Sequence, residues 1–299
     1  MTRSLTALIA ASTAAGAFSA SAETVLVLED VGTSQQLFSF DSASPSNTSN
    51  RVSVTGLESG GELLGIDYRP ATGQLFGFSS NDRLYTLDAG TGAATLVGSG
   101  FSDAPAGTFY GFDFNPVIDK IRINSDVGTN FVADPDSGDA NIADTTPLFY
   151  GSGDANEGAS TVVIGAAYTN SVANADSTQL YVIDSALDIL ATQANNAGTL
   201  GTVGELGVDI VDIGEFDVSG ATGTAYLAGI VRGETDSTLF SVDLGTGLAT
   251  SLGTIGSSGT TIAGIAVAPG NAAVIPTPGA AAAGLALLGG LAARRKRSA

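Results

Sequence analysis

Leu84-Tyr85-Thr86-Leu87-Asp88-Ala89-Gly90-Thr91-Gly92 is the stretch that decides the fold. Apolar and polar residues alternate up to the Asp, as they do in a half-buried β-strand. The residues that follow favour a tight hairpin turn, because Asp caps such a turn through its side chain and Gly adopts positive φ. Similar apolar segments ending in Asp recur at residues 37–41, 130–134, 180–184 and 239–243. Successive Asp residues are 47, 46, 50 and 59 positions apart, which indicates an internal repeat.

A second repeated segment lies between the copies of the first. Its five copies are Gly65-Ile66-Asp67-Tyr68, Gly111-Phe112-Asp113-Phe114, Gly165-Ala166-Ala167-Tyr168, Glu215-Phe216-Asp217-Val218 and Gly264-Ile265-Ala266-Val267. In the clearest unit the pattern predicts four strands, over residues 65–69, 74–78, 83–88 and 93–97. Four short strands in fewer than about 50 residues are typical of one blade of a β-propeller.

The number of repeats indicates how the fold closes. Full units start near residues 64, 110, 164 and 213. The N-terminal part offers three further strands (24–29, 36–41 and 51–55), and residues 262–268 offer one strand without a unit of its own. Together they complete a fifth blade and remove the free sheet edges of an open structure. The sequence therefore predicts an all-β, five-bladed propeller over residues 23–273, closed by its two ends, with a β-sandwich as the alternative.

The N-terminus has the features of a secretory signal peptide over residues 1–22. Arg3 provides a positive start, residues 5–18 form a weakly apolar run, and Ala20-Ser21-Ala22 is a small-x-small cleavage site. Cleavage between Ala22 and Glu23 is expected, and an uncleaved membrane helix is the alternative. This pattern predicts export.

The C-terminal segment, residues 274–299, has three parts in order. Pro276-Thr277-Pro278 follows Ile275 as an extended spacer, residues 279–293 are uncharged, and Arg294-Arg295-Lys296-Arg297 is a basic cluster. The cluster is expected to stay cytoplasmic, with the preceding domain outside. The run is short for a hydrocarbon core of ~30 Å, which favours a transient anchor over a permanent one.

This three-part order resembles a PEP-CTERM sorting signal, although Thr277 stands where Glu is usual. The resemblance implies an exosortase-type sorting protease as a partner and transient contact with the membrane. It also implies a final location at the cell surface or in the extracellular matrix.

Composition excludes several kinds of site. The chain contains neither Cys nor His, which removes thiol nucleophiles, imidazole catalysis and the usual zinc and haem ligands. The formal net charge of −19 would repel phosphate backbones, so no nucleic-acid partner is expected. No organic cofactor is expected either, and Ca²⁺ is the metal ion that this composition best permits.

Long ordered motifs in the repeats also resemble a known bacterial family. They are Gly65-Ile66-Asp67-Tyr68-Arg69-Pro70-Ala71-Thr72-Gly73-Gln74-Leu75-Phe76-Gly77, Tyr110-Gly111-Phe112-Asp113-Phe114-Asn115-Pro116, and Leu200-Gly201-Thr202-Val203-Gly204. On these motifs the chain, from about residue 24 to 268, resembles the family catalogued as domain of unknown function 4394. The resemblance implies export and a propeller-like fold, and it implies no activity.

Two groups of acidic residues are candidate sites. Asp134, Asp136, Asp139 and Asp144 surround Gly138 and are the candidate Ca²⁺ ligands, with an ordinary hairpin turn as the alternative.

Asp67, Asp113 and Asp217 recur in the first strand of three units. They are interpreted as caps of neighbouring backbone N–H groups; the alternative is a cation, sugar or acid–base site. The scarce cations Arg69, Lys120 and Arg122 are expected to pair with nearby Asp residues rather than to hold an anionic ligand.

These observations predict an exported, non-enzymatic propeller that acts as a binding or scaffolding module, with extracellular polysaccharide as a candidate partner. The alternative is a carbohydrate-active or lactonase-like enzyme that uses channel carboxylates, with or without Ca²⁺.

Overall fold

The structure is a computed structural model that describes residues 22–141 and 145–270. The predicted signal peptide up to Ser21, the C-terminal segment 274–299 and Asp144 lie outside the described residues. Within the described part, no helix is long and apolar enough to cross a membrane.

The strands form five separate sheets that follow one another around a ring. The first sheet, blade 1, contains β1 Thr24–Asp30, β2 Gln35–Asp41, β3 Ser44–Thr48, β4 Val52–Ser53 and β22 Thr261–Val267. Blade 2 contains β5 Leu63–Tyr68, β6 Leu75–Ser79, β7 Arg83–Leu87 and β8 Ala94–Val97. Blade 3 contains β9 Tyr110–Asn115, β10 Lys120–Ser125, β11 Asn130–Ala133 and β12 Ala140–Asn141.

The remaining strands complete two more blades. Blade 4 contains β13 Phe149–Tyr150, β14 Val163–Tyr168, β15 Leu180–Asp184, β16 Ile189–Gln193 and β17 Thr199–Glu205. Blade 5 contains β18 Ile210–Val218, β19 Ala225–Val231, β20 Ser237–Val242 and β21 Ala249–Thr254. A short 3-10 turn over Asn195–Ala197 lies between β16 and β17. The predicted all-β, five-bladed propeller is confirmed.

The two ends of the repeat region close the ring within blade 1. β22 pairs antiparallel with β1, with Val25 opposite Val267 and Leu28 opposite Gly264. β22 is the innermost strand of this blade, the place that β5, β9, β14 and β18 occupy in the other four. The predicted closure of one blade by both ends of the domain is therefore confirmed.

The outer edge of blade 1 differs from the prediction. The strand expected over residues 51–55 is only Val52–Ser53, and Ser44–Thr48 forms a second short outer strand on β2. Between the two, Arg51 turns back over the blade. Its guanidinium lies 2.5 Å from Glu29 and 4.3 Å from the centre of the Phe38 ring. The edge is divided because Ser44–Thr48 pairs with the end of β2 and Val52–Ser53 pairs with its beginning.

The core lies between neighbouring blades, and the inner strands pack there at very short range. An added Cβ at Gly111 would lie 2.5 Å from the backbone nitrogen of Ala166, and one at Gly65 would lie 2.8 Å from Cβ of Phe112. The first position of the second repeated segment is glycine in four blades because a side chain there would collide with the next inner strand.

Candidate functional site

Three carboxyl groups meet where the inner strands surround the axis of the ring. Asp67, Asp113 and Asp217 lie on β5, β9 and β18, and each offers an oxygen atom within 4.8 Å of the others. All three are buried, with 3%, 1% and 4% of their surface exposed. Among the described residues, this is the one group of three or more acidic side chains that converges so closely.

Each of the three aspartates accepts a hydrogen bond from the next blade. The backbone N–H of Phe114 donates to Asp67 Oδ2 at 2.9 Å, and that of Tyr168 donates to Asp113 Oδ1 at 2.9 Å. The N–H of Val267 donates to Asp217 Oδ2 at 2.5 Å. The interpretation of these residues as caps of neighbouring backbone groups is confirmed.

Blades 1 and 4 carry Ala266 and Ala167 at the equivalent position, so they have no carboxyl group to offer the blade that follows. The backbone N–H groups that would have donated to those positions donate instead to an aspartate of their own strand. Tyr68 donates to Asp67 Oδ1 at 2.6 Å, and the N–H of Val218 bonds to Asp217. Three carboxyl groups thus satisfy five backbone donors around the axis, and both oxygens of Asp67 are used.

Burial makes ionisation of this axial cluster unfavourable. Desolvation, followed by the negative charge of the neighbouring aspartates, raises the pKa of Asp67 and Asp113 well above the ordinary carboxyl range. Desolvation also raises the pKa of Asp217, to about 6. Ca²⁺ takes about six to eight oxygen ligands, whereas most of the oxygens here already accept N–H bonds. The arrangement is therefore better suited to shared protons than to a calcium ion.

Asp134, Asp136 and Asp139, three of the four acidic residues predicted to bind Ca²⁺, do not form such a cluster in the described part of the chain. Asp134 lies 2.7 Å from Lys120 and accepts the N–H groups of Asp136 and Ser137. Asp139 accepts the N–H groups of Ser102 and Ala140. These are the bonds of a capped hairpin turn.

The other two predicted ligands are Asp136 and Asp144. Asp136 lies 2.7 Å from Arg69, which also pairs with Asp119 at 2.5 Å. Asp144 lies outside the described residues, so a calcium ion at this turn stays a prediction.

Arg122 departs from the expected pairing. Its buried guanidinium donates to the side-chain oxygens of Asn130 at 2.6 Å and Asn196 at 2.7 Å. Tyr168 also lies within hydrogen-bonding distance. The expected ion pairs are confirmed for Arg69 and Lys120. The partners of Arg122 among the described residues are instead neutral groups, which join blades 3 and 4.

A second acidic site lies at the end of the ring where the inner strands begin, and we call it the axial cavity. It has a volume of about 130 Å³. Four of the five blades contribute to its lining, which is made of Asp30, Gln35, Glu62, Leu63, Leu64, Thr108, Phe109, Tyr110, Gly214, Glu215, Thr261, Ile262 and Ala263.

Glu215 is the unusual member of this lining. It occupies the position that is glycine in the other four blades. Its side chain is 92% buried, and no hydrogen bond or ion pair joins its carboxyl group to any residue in the described part of the chain. Burial alone raises the pKa of Glu215 well above the usual range, with no partner to offset the effect.

Three other polar side chains of the axial cavity, those of Asp30, Gln35 and Tyr110, already have partners. Gln35 donates to Asp30 at 2.7 Å and exchanges two bonds with the backbone of Leu63. The Tyr110 hydroxyl donates to backbone carbonyl groups in the loop that precedes its strand. Glu215 therefore stands out as a buried acid directed into a cavity and left without a partner. Glu215 could have been identified from the sequence, because it replaces the glycine that the other four blades carry at the same position of the repeat.

Comparison with known protein families gives a match over residues 36–266, to the model described as Domain of unknown function (DUF4394). The chain belongs to this family. No curated protein matched the chain. The family carries no assigned activity in its description, so membership agrees with the predicted resemblance and adds no site residue.

Solved structures with similar folds are distant. TolB from Acinetobacter baumannii is 13% identical, with 78% of this chain and 53% of TolB covered and a TM-score of 0.44. A putative 6-phosphogluconolactonase from Bacteroides fragilis is 15% identical, with 81% and 83% covered and a TM-score of 0.41. A protein from Lactobacillus plantarum is 17% identical, with 79% and 67% covered and a TM-score of 0.42. The chain thus spans about half the length of TolB, and at these values none of the three informs function.

Proposed function

We propose that this DUF4394 protein is an exported propeller, held at the cell surface or in the extracellular matrix, that binds a ligand rather than transforming one. The observation that carries the proposal is the axial cavity with its partnerless Glu215. A buried acid without a partner among the described residues is unfavourable for folding, and a ligand that supplies a hydrogen-bond donor would offset this cost.

The axial aspartates support binding over catalysis as well. An acid–base pair needs at least one carboxyl group that can reach a substrate. Asp67, Asp113 and Asp217 are almost completely buried and serve backbone N–H groups instead. The enzyme alternative used these carboxylates, and no observation on them favours it.

Export and surface display rest on the two ends of the sequence. Fusing residues 1–22 to a reporter that is active only outside the cytoplasm tests the first. We expect exported activity and cleavage directly after Ala22; a matched Ala22→Arg fusion should remain unprocessed. Reporter activity confined to the cytoplasm would contradict the proposal.

Sorting is tested separately by replacing Arg294-Arg295-Lys296-Arg297 with serines. If an exosortase-type protease acts on this segment, the variant should be exported but no longer pass through a membrane-bound form. Pulse-chase fractionation of the cells measures this. Identical fractionation of both forms would remove the sorting signal from the proposal.

The binding role is tested with the purified protein on an array of bacterial extracellular polysaccharides and their oligosaccharides. We expect retention of the wild type on a subset of the glycans. Thermal unfolding in the presence of each positive glycan provides an independent check, because a ligand that binds only the native state raises its stability. Absence of binding across the array would contradict polysaccharide as the partner.

A further inference from the structure

We propose that the axial cavity binds an organic ammonium group, with the carboxylate of Glu215 as its counter-ion. The inference rests on the proposed binding role and adds the chemical class of the ligand. An alkylamine and an amino sugar both present this chemistry.

The cavity carries negative charge. Acidic residues line it at three places, Asp30, Glu62 and Glu215, and among the described residues no Lys or Arg belongs to its lining. Asp30 and Glu62 are exposed, so they add negative potential at the opening, while Glu215 lies deeper. A cation entering this cavity meets negative charge first at the opening and then inside.

The carboxyl group of Glu215 also lacks a partner among the described residues. Glu215 is 92% buried and has no hydrogen bond or ion pair to the described residues. Asp217, two residues further along the same strand, shows that an acid in this environment can be satisfied by the next blade. Glu215 is not, although Ile262 and Ala263 of that blade line the same cavity. A hydrogen-bond donor on a molecule bound in the cavity would therefore satisfy this carboxyl group.

The ligands available in the cavity favour an organic cation over a metal ion. Ca²⁺ needs about six to eight oxygen ligands around it. Among the described residues, the acidic groups of this cavity do not form a set of three whose oxygens converge within 4.8 Å. The amide of Gln35 is already engaged by Asp30 and Leu63. One carboxylate is too few ligands for calcium, but it is sufficient for an ammonium group, which donates directional hydrogen bonds.

The apolar part of the cavity wall indicates the nature of the rest of the ligand. Leu64, Phe109, Ile262 and Ala263 give part of the cavity wall an apolar character. Such walls suit the carbon atoms that carry the ammonium group better than they suit a hydrated inorganic ion. A cavity of about 130 Å³ admits several water molecules or one small group, so a larger molecule would insert only its amino-bearing end.

Titration calorimetry on the purified protein, at constant ionic strength and pH 8, tests the proposal. The probes are ethylammonium chloride, glucosamine, N-acetylglucosamine and calcium chloride. We expect saturable binding of ethylammonium, and of glucosamine as well if the natural source is an amino sugar. N-acetylglucosamine should not bind, because its nitrogen carries no charge.

Three variants locate the binding. Glu215→Gln keeps the shape of the side chain and removes its charge, so ethylammonium binding should weaken at least tenfold. Asp176→Asn makes the same charge change at an exposed residue in the loop that follows β14, at the other end of the ring, and should leave binding unchanged. Glu215→Gly restores the residue of the other four blades and should also abolish binding, which guards against a local defect caused by the glutamine.

Three results would overturn the proposal. They are absence of amine binding, equal amine binding by Glu215→Gln, and calcium binding that depends on Glu215. These results are distinct from failure of the proposed function. Amine binding without any glycan binding would remove only the polysaccharide, whereas glycan binding that is unaffected by Glu215→Gln would preserve the binding role and exclude this site.

Discussion

Glu215 and Asp217 lie two residues apart on β18, with side chains on the same face, and both are almost completely buried. Asp217 accepts the N–H of Val267 from the next blade, and Glu215 accepts no bond from the described residues. Asp217 also has counterparts at Asp67 and Asp113, whereas Glu215 stands alone in a column of glycines. Asp217, which recurs in two other blades, joins its blade to the next. Glu215, which replaces the glycine of the other blades, is the acid available to a ligand.

The largest expected effect comes from adding a side chain at one of the glycines that correspond to Glu215 in the other blades. In Gly111→Ala the new Cβ would lie 2.5 Å from the backbone of Ala166, which cannot move without separating blades 3 and 4. We expect a loss of about 3 kcal/mol or more in the free energy of unfolding. Chemical denaturation measures it, and Glu215→Gly is the control: it changes the same position of the repeat without placing a new atom against the next blade, so it should lose much less stability. Equal stability of Gly111→Ala and wild type would mean that the blades do not pack so closely.

A smaller effect separates two of the axial aspartates. Asp67 uses both oxygens for backbone N–H groups, while Asp113 shows one such bond, to Tyr168. Asn has only one acceptor oxygen, so Asp67→Asn leaves a buried donor unsatisfied and should lose about 1–3 kcal/mol. Asp113→Asn keeps its bond and should be at least as stable as the wild type at pH 7. If both variants lose the same stability, the bonding pattern around the axis is not the cause.

The dependence of stability on pH sharpens the comparison further. The axial aspartates have folded-state pKa values above those of the unfolded chain, and that of Asp217 is about 6. The folded protein then binds more protons than the unfolded one, so stability should fall as the pH rises from about 4 through these folded pKa values. Thermal unfolding from pH 5 to 8 tests this. The fall should be less steep in Asp113→Asn, and equal slopes would contradict the assignment.

The smallest effect is expected at Glu215 under acidic conditions. Because burial raises its pKa, Glu215 is neutral near pH 5, like the amide of Gln. Glu215→Gln should therefore change the free energy of unfolding by less than about 0.5 kcal/mol at pH 5. As the pH rises through the folded-state pKa of Glu215, the variant without ligand should become the more stable form, because it lacks the buried charge that ionisation creates there. A large loss of stability in the variant at any of these pH values would indicate a hydrogen bond to Glu215 that its surroundings do not suggest.

Sequence periodicity predicts the ring because each blade repeats the same short-range pattern. The recurrent Asp and Gly positions predicted the inner strands, and the single strand near residue 262 predicted the closure. The capping role of Asp67, Asp113 and Asp217 was also predictable, since these residues recur with the repeat. The local pattern does not specify the number of bonds each one makes, because that depends on which neighbouring blade carries Ala.

The acidic turn around Gly138 shows where prediction from spacing stops. Asp134 and Asp136 resemble metal ligands when they are viewed along the chain. Their partners, Lys120 and Arg69, come from a different strand and a different blade, and only the fold brings them together. Glu215 illustrates the opposite case: it was visible as an exception to the repeat, but its burial and lack of a partner emerge only from the packing around it.

The closure of the ring also determines how the domain would respond to mechanical force. The N–H of Ala268 donates to the carbonyl of Thr24, so the two ends of the chain leave blade 1 side by side. Tension applied between them would load the β1–β22 pair at one end and peel its hydrogen bonds apart one at a time, starting near Val25 and Val267. Peeling needs less force than sliding two strands along their length. The strand pair that completes the ring is thus also the place where a pull on the chain ends would first open it.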